Sequence, residues 1–557
     1  MQSYDYTDRL LEIHSAAMWN MSHVDMAIQF AHKYRLTGLI FHCNDLLDRL
    51  VLPAKYFDKD LSLARWPVRD ATLINNHYYI NDVLARCREA GLEFYAEVKE
   101  LYYPAEIVEL FPFLRKENGA ICPTEAFWWE FLEEKVREFV ATFPSVAGII
   151  VSPGTRESMV SLAANGCVCD RCRTYDIDVW YRQLIQAMYR PLAEKGKRLI
   201  VRDFAYTRDH QHAMVDAAGD VSDDIIMALK KTPHDYYPTF PDNPAVGQCG
   251  HLRQWIEYDT WGQYFGLGVL PCSVVEDMQG RMQRYLTRGA SGVMLRTDWE
   301  IISEGSVFRS FNLLNLIAGA MLSADVDTPT EDIYRAWLNE GLYTPLRHHT
   351  FPQNPCVPRG EKALTQLSEY MKRSWKVLEK TIYVRGHVFQ ENAQPFDRVD
   401  MGYNMMVRFH GRDEWDPEAS RLVEPTDENI ALIFREKEEG VALAESLSTL
   451  VEVDKLGVSE EIARYFEFLN HFYVLYTCIM RDQAHTVFLI EKARRTLRRV
   501  DIDAALATLE PFTSHAEALK SGIQGKGFAN VVEWCLDGER VFRFKADAER
   551  ILRNLGG

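Results

Sequence analysis

The sequence predicts an α/β fold: a (β/α)8 barrel of the TIM type over residues 1–325, followed by a mainly α-helical C-terminal region over 326–557. Three observations carry this. A short β-rich apolar run, a polar loop and an amphipathic helix alternate eight times within the first 320 residues. Strand alternating with helix specifies a parallel sheet, and eight such units close one. No glycine-rich phosphate turn follows the first strand, which speaks against an open doubly wound sheet.

Strands are expected near residues 11–14, 38–42, 93–98, 146–152, 198–204, 225–230, 254–260 and 292–296. Helical patterns lie between them, over 23–35, 80–90, 126–142, 179–194 and 274–288. The loop 231–250 carries Pro233, Pro238, Pro241 and Pro244 and has no helical period. A loop that long in a compact domain usually has a function, and this one follows the sixth strand on the face where barrel active sites gather. Beyond residue 325 the strands stop, and 361–380, 429–453, 459–498 and 501–521 read as helices. The stretch 383–415 is irregular and rich in aromatic and polar residues; it either lies across the barrel mouth or joins the helices to it.

The length of 557 residues suits a barrel with one companion region, and 47% hydrophobic with 26% charged residues is ordinary for a globular protein. The net charge of −17 disfavours nucleic acid as a partner, because phosphate binding relies on clustered Lys and Arg. A small anionic substrate stays open, since two or three focused cations in a pocket suffice. The first residues show no basic stretch followed by an apolar run, and no apolar run reaches the roughly 18 residues of a membrane helix. Eleven cysteines, mostly scattered, do not form a disulfide framework. A cytoplasmic protein with no membrane partner is the expectation.

Charged residues at the C-terminal ends of barrel strands read as functional, because the interior below is packed and the mouth above is wet. The strand ends supply His14, His42, Asn44, Glu97, Lys99, Glu157, Arg202, Lys230, Asp235, Glu257, Asp259, Arg296 and Asp298. Arg202 and Lys230, on neighbouring strands, suit an anionic substrate: Arg would hold a carboxylate bidentately and Lys would add a point charge. Glycosidic hydrolysis needs one protonated carboxyl and one ionised one. Glu157 and Asp235, from loops after the fourth and sixth strands, fit such a pair, and an acid role requires Glu157 to be partly buried with a raised pKa. Each residue also has a structural reading. A lone charge at a strand end is often a salt-bridge partner, His14 or His42 alone is more often a satisfied barrel histidine, and Glu257 is a natural internal partner of Arg202 or Arg296.

Trp128 and Trp129 lie on a helical pattern and read as core, whereas Trp261 and Trp299 are better placed to stack on a sugar ring. Cys167, Cys169 and Cys172 form C-x-C-x-x-C after the fourth strand. They would hold zinc only if a fourth ligand folded in, Cys122 being one candidate; with the second pair missing, a local loop brace or free thiols is the preferred reading. No metal and no cofactor is called for.

The chain resembles the α-glucuronidases of glycoside hydrolase family 67, enzymes that remove (4-O-methyl)glucuronic acid from the ends of xylan fragments with inversion. The segments that carry the likeness run in order: GLIFHCND, GLEFYAEVK, TEAFWWEFLEEK, FPSVAGIIVSPGTRES, RLIVRDFAY, ALKKTPHDYYP, WIEYDTWGQYFG, GVMLRTDWE and YMKRSWKVLEKTIYVRG. The resemblance implies Glu157 as general acid, Asp235 as one of two carboxylates that position water, and Arg202 and Lys230 as cations for the uronate carboxylate. Three departures stand out. The second water-activating carboxylate falls on Gln263, another pocket cation falls on Ser152, and the family's N-terminal β-domain does not precede the first strand. Asp235, or less favourably Asp259, is left as the base.

The expected function is therefore an inverting exo-acting hydrolysis of a terminal acidic sugar, α-linked glucuronate first, from an oligosaccharide. His14, His42, Asn44, Arg296 and Gln263 would line the pocket. Rival readings are a sialidase-like hydrolase of another acidic sugar, a non-catalytic sugar-binding barrel, and a metal-dependent hydrolase using His14, His42 and a carboxylate. Long helices such as 459–498 make a homodimer an open expectation.

Overall fold

A computed structural model describes residues 5–205, 207–348 and 353–556. Eight parallel strands close into a barrel in sequence order: β1 (Asp8–Ile13), β2 (Gly38–His42), β3 (Glu93–Val98), β4 (Gly148–Val151), β5 (Arg198–Arg202), β6 (Ile226–Lys230), β7 (Arg253–Asp259) and β8 (Ala290–Arg296). Closure is made by β1 against β8, in register from Asp8↔Gly292 to Glu12↔Arg296. All eight expected strands occur, and the helices Met21–Lys33, Pro67–Glu89, Phe127–Thr142, Ile177–Ala193, Arg208–Val221 and Val275–Thr287 return the chain between them. Trp128 is fully buried and Trp129 packs against the same core, as their helical spacing implies.

The barrel interior follows from the period of two along a strand. Leu10, Ile40, Tyr95, Ile150, Ile200, Ala228, Trp255 and Met294 point inward and pack together. Trp255 fits because β8 has Gly292 beside it, where a Cβ would lie 2.3 Å from the indole Cδ1. Two residues further on, the same inward phase supplies Glu12, His42, Glu97, Ser152, Arg202, Lys230, Glu257 and Arg296, all buried. Each of these apolar residues is thus followed two positions later by a polar residue in the layer above, and Ile226 of β6 also joins the packed layer. At the opposite end Asp8 meets Arg198 at 3.2 Å and also pairs with Arg253.

Beyond the barrel the chain is mainly helical, with Ala363–Ile382, Asp427–Ser448, Glu460–Thr496 and Gly538–Gly556 its longest members. Two expectations need correction. The pattern over 501–521 forms two helices, Arg499–Ala507 and Phe512–Gly522, separated ahead of Pro511, whose missing N–H cannot continue a helix. Strands also reappear after residue 325: Tyr383–Val384 pairs antiparallel with His387–Val388 across a turn at Arg385 and Gly386, both at positive φ.

The helical region shares the core of the barrel. Tyr465 Oη donates to the Val269 carbonyl at 2.7 Å, fastening the helix Glu460–Thr496 to the loop after β7. Of the two placements open for 383–415, the structure adopts the first: Glu391, Asn392, Met401, Met405, Phe409 and His410 roof a cavity over the barrel mouth. Lys437 holds the start of this strap by donating to the carbonyls of Lys380 (2.6 Å), Thr381 (3.2 Å) and Tyr383. Among the described residues no helix is long and apolar enough to cross a membrane.

Candidate active site

The polar layer of the barrel is the floor of the site. Arg202 is its centre: Nε and Nη2 donate to the two carboxylate oxygens of Glu257 at 2.7 and 2.9 Å, and Nη1 donates to Ser152 Oγ at 3.2 Å. Glu97 lies 3.0 Å from Nε. Glu257 fills the Nε/Nη2 edge, and Ser152 and Tyr236, whose Oη accepts from Nη2 at 2.9 Å, take the other edge. The expected role of Arg202 as a free clamp for a substrate carboxylate is therefore corrected: all three of its nitrogens have partners inside the protein.

Three buried carboxylates crowd this layer. Burial pushes Glu12 well above the usual carboxylate range and Glu97 up to about 8, with Arg202 opposing. Burial also works against ionisation of Glu257, but Arg202 outweighs it and lowers that carboxyl to about 2. His42 Nδ1 lies 2.8 Å from Glu12 and 3.1 Å from Glu97, and its ring stacks on His14 at 3.6 Å. His42 therefore belongs to the floor. Burial holds both imidazoles well below their usual pKa.

Above the floor lies a cavity of about 430 Å3. His14, Lys99, Glu157, Arg202, Lys230, Asp235, Gln263 and Arg296 all line it. The loops after β4 and β6 therefore bring the expected acid, Glu157, and the expected base, Asp235, to one hollow. Lys99 Nζ donates to Glu157 Oε2, and Asn44 Nδ2 donates to the same oxygen at 3.3 Å. Burial alone would raise the Glu157 carboxyl, but Lys99, with Lys230 and Asn44 adding to it, holds it below the usual value. The expectation of a raised pKa is thus corrected.

Asp235 sits at φ 46°, a left-handed conformation that Asp and Asn tolerate better than most residues. Lys230 Nζ donates to its Oδ1 at 2.6 Å, Tyr237 Oη donates to its Oδ2 at 3.4 Å, and Lys230 lies 3.9 Å from the centre of the Phe204 ring. Burial opposes ionisation of Asp235, yet Lys230 and His234 hold its pKa below the usual range. Its loop has little regular backbone pairing, so side chains hold it. Arg281 donates to the carbonyls of Lys231, Pro238 and Phe240, and Tyr285 Oη donates to that of Lys231 at 2.6 Å.

Three further expectations change. Asp259 accepts the backbone N–H groups of Trp261, Gly262 and Gln263 at 3.0, 3.0 and 2.9 Å and does not line the cavity, so it shapes the loop after β7 rather than serving as a base. Trp261 is buried in the core, whereas Trp299 lines the cavity. Asn44 reaches Glu157 from a neighbouring cleft that shares His14 and Glu300 with the main cavity. Gln263 Oε1 accepts from Arg296 Nη1 at 2.7 Å, and Arg296 Nε donates to His14 Nδ1 at 3.2 Å.

Several lining residues were not anticipated. Glu300 lies 3.3 Å from His14 and 3.4 Å from Arg296, four positions along the chain from the latter. His410 Nδ1 lies 2.9 Å from His234 Nε2, and His410 Nε2 pairs with Glu391. Glu12 was overlooked although period two from Leu10 points to it; Glu391 and His410 have no local signal, since they come from the irregular strap.

Two groups in the site offer metal-ligand atoms within 4.8 Å of one another: Glu12, His14 and His42, and His234, Asp235 and His410. Arg296 donates into the first and Lys230 into the second, placing fixed positive charge where an ion would sit.

No protein-family model and no curated protein sequence matches the chain. Among solved structures it is similar to a GH138 enzyme targeting pectin rhamnogalacturonan II, with 12% identity and a TM-score of 0.64 over 100% of this chain and 68% of that one. It is also similar to an O-GlcNAc hydrolase from Thermobaculum terrenum, with 11% identity and a TM-score of 0.45 over 99% and 95% of the two chains. The likeness to the first is one of fold. It reaches the full length of this chain, so the helical region and the barrel are shared together.

Proposed function

We propose that the protein is an exo-acting glycoside hydrolase that removes a terminal acidic sugar from an oligosaccharide, with α-linked glucuronate the first substrate to try. The reading rests on one observation: Glu157 and Asp235 line a single cavity, and each carboxylate holds the ammonium of a lysine. The cavity is at the small end of the range for ligand pockets, about 300–1,000 Å3, which suits a chain end better than a running cleft. Its cations Lys99, Lys230 and Arg296 supply attraction for a sugar carboxylate in place of the occupied fork of Arg202. The motif likeness to family 67 supports the same assignment of Glu157 and Asp235.

In this mechanism the substrate carboxylate draws Lys99 away from Glu157. With that ammonium shared, burial dominates, the Glu157 pKa rises, and the residue takes up the proton it gives to the leaving oxygen. Asp235, held ionised by Lys230, orients the attacking water on the opposite face and takes up the proton that water loses as its oxygen bonds to the anomeric carbon. Its water-positioning partner is Gln263 in place of a second carboxylate. Inversion follows if the two carboxyl groups are about 6.5–9.5 Å apart across the bound sugar.

The test is release of the terminal sugar from an α-linked glucuronosyl disaccharide, whose sugar leaving oxygen needs the proton, and from the matched neutral disaccharide, with NMR reading the first-formed anomer. Turnover of the uronide alone, with inversion, is expected, together with its loss in Glu157→Gln and Asp235→Asn; Asn keeps the left-handed backbone at 235. Undiminished turnover in Glu157→Gln, or equal turnover of the neutral glycoside, refutes the reading.

A further inference from the structure

Away from the candidate active site, the loops after β3 and β4 bring four cysteines together. Cys122 comes from the first loop and Cys167, Cys169 and Cys172 from the second. Their sulfurs all lie within 4.8 Å of one another, with Cys122 at 3.5 Å from Cys172 and 3.9 Å from Cys169. None is bonded to another, and Cys122, Cys167 and Cys172 are buried.

We infer that Cys122, Cys167, Cys169 and Cys172 bind one zinc ion in a structural tetrathiolate site. Geometry supports it first. Zinc with four thiolates at about 2.3 Å places neighbouring sulfurs roughly 3.8 Å apart in a tetrahedron, close to the spacings observed. A disulfide needs sulfurs at about 2.05 Å and joins only two residues, so it does not account for four thiols converging on one point. All four positions are protein ligands, which marks a closed structural centre and leaves no open position for a substrate.

The surroundings fit a site of net negative charge. Arg171 Nη2 donates to Cys122 Sγ at 3.8 Å, while its Nε donates to Thr124 Oγ1 at 2.8 Å and the same guanidinium pairs with Glu125. Such outer partners orient ligands and offset their charge. The backbone around Cys122 is fixed as well: Trp128 Nε1 donates to its carbonyl at 2.9 Å, and Trp180 Nε1 to that of Pro123 at 2.9 Å. The missing second pair of the sequence motif is thus replaced by one cysteine from 45 positions before Cys167. The ion would tie together the two loops that also carry Lys99 and Glu157, but the assignment does not depend on any activity of that pair.

The test is elemental analysis of the untagged full-length protein purified under reducing conditions. One zinc per chain is expected, with Cys122, Cys167, Cys169 and Cys172, located by peptide mapping, becoming open to alkylation when the metal is extracted. Cobalt loaded in its place should give thiolate charge-transfer absorption and the intense d–d bands of a tetrahedral site. Cys122→Ser and the double variant Cys167→Ser/Cys172→Ser should lose the metal. Because loss of a ligand also weakens the fold, the wild-type measurements decide. A chain that holds no zinc and takes up neither zinc nor cobalt, that carries stoichiometric iron, or that yields two disulfides among these cysteines overturns the assignment.

Discussion

Lys99 Nζ, almost wholly buried, donates to Oε2 of Glu157, whose side chain is 37% exposed. The pair couples the floor of the barrel to the open cavity, because Lys99 follows β3 and Glu157 follows β4. Removing the ammonium leaves burial as the leading influence on the carboxyl, so its pKa rises. Lys99→Met is therefore expected to move the basic limb of kcat/KM to higher pH. In the wild type that limb should lie at lower pH in kcat/KM than in kcat, because the first reports the free enzyme. Coincident limbs in the two wild-type profiles would count against a substrate that displaces Lys99.

Arg202 and Glu257 illustrate a different dependence. With Arg202 replaced by Met, the ionised Glu257 is left buried without its main counter-charge, and breaking a buried pair in this way costs about 3–5 kcal/mol. Urea denaturation of Arg202→Met should register a loss of that order. Arg202→Lys should recover only part of it, since one ammonium cannot reproduce the two parallel bonds to Glu257. Full recovery by Lys would mean that the fork geometry is unimportant.

The same pair shows where sequence reading stops. The bounds of β2 and β3 are those the apolar runs imply, and Lys230 at the end of β6 and Glu157 and Asp235 in the loops after β4 and β6 line the cavity at the mouth. Local pattern says which face a side chain takes. It does not say which charge across the barrel will meet it. Arg202 and Glu257 are 55 positions apart and become partners through register, so the guanidinium that looked available for substrate is spent internally. Asp259 likewise shares the parity of Glu257, but the chain turns after β7 and its carboxylate folds back onto the next three amides. His410 and Glu391 were invisible for a third reason: the strap that carries them has no period to read.

Burial pushes the Glu97 carboxyl up to about 8 from its usual 4.5. Between those values the folded chain binds more protons than the unfolded one, so stability falls as pH rises through the window. Glu257 acts with the opposite sign and in another range: its contribution is present above 4.5 and is lost as pH falls towards about 2. Below pH 6.5 the buried imidazoles of His14, His42 and His23, whose pKa values are lowered, act with the sign opposite to Glu97. The decline is therefore expected in denaturation midpoints measured from pH 6.5 to pH 8, and Glu97→Gln should flatten it. An unchanged slope in Glu97→Gln would assign it to other groups.

His410 tests whether the strap takes part in the chemistry or merely covers it. Its Nδ1 lies 2.9 Å from His234, its Nε2 pairs with Glu391, and Tyr237 Oη lies 3.3 Å from both ring nitrogens. Tyr237 and His234 are also the neighbours of Asp235, so the strap braces the loop that presents the proposed base. A displacement of about 1 Å in such a group costs on the order of 100-fold in rate. His410→Phe keeps the ring volume while removing the hydrogen bonds, and is expected to lower kcat about 10- to 100-fold with KM little changed. If the strap only closes the pocket, the same variant should instead raise KM and leave kcat near the wild-type value.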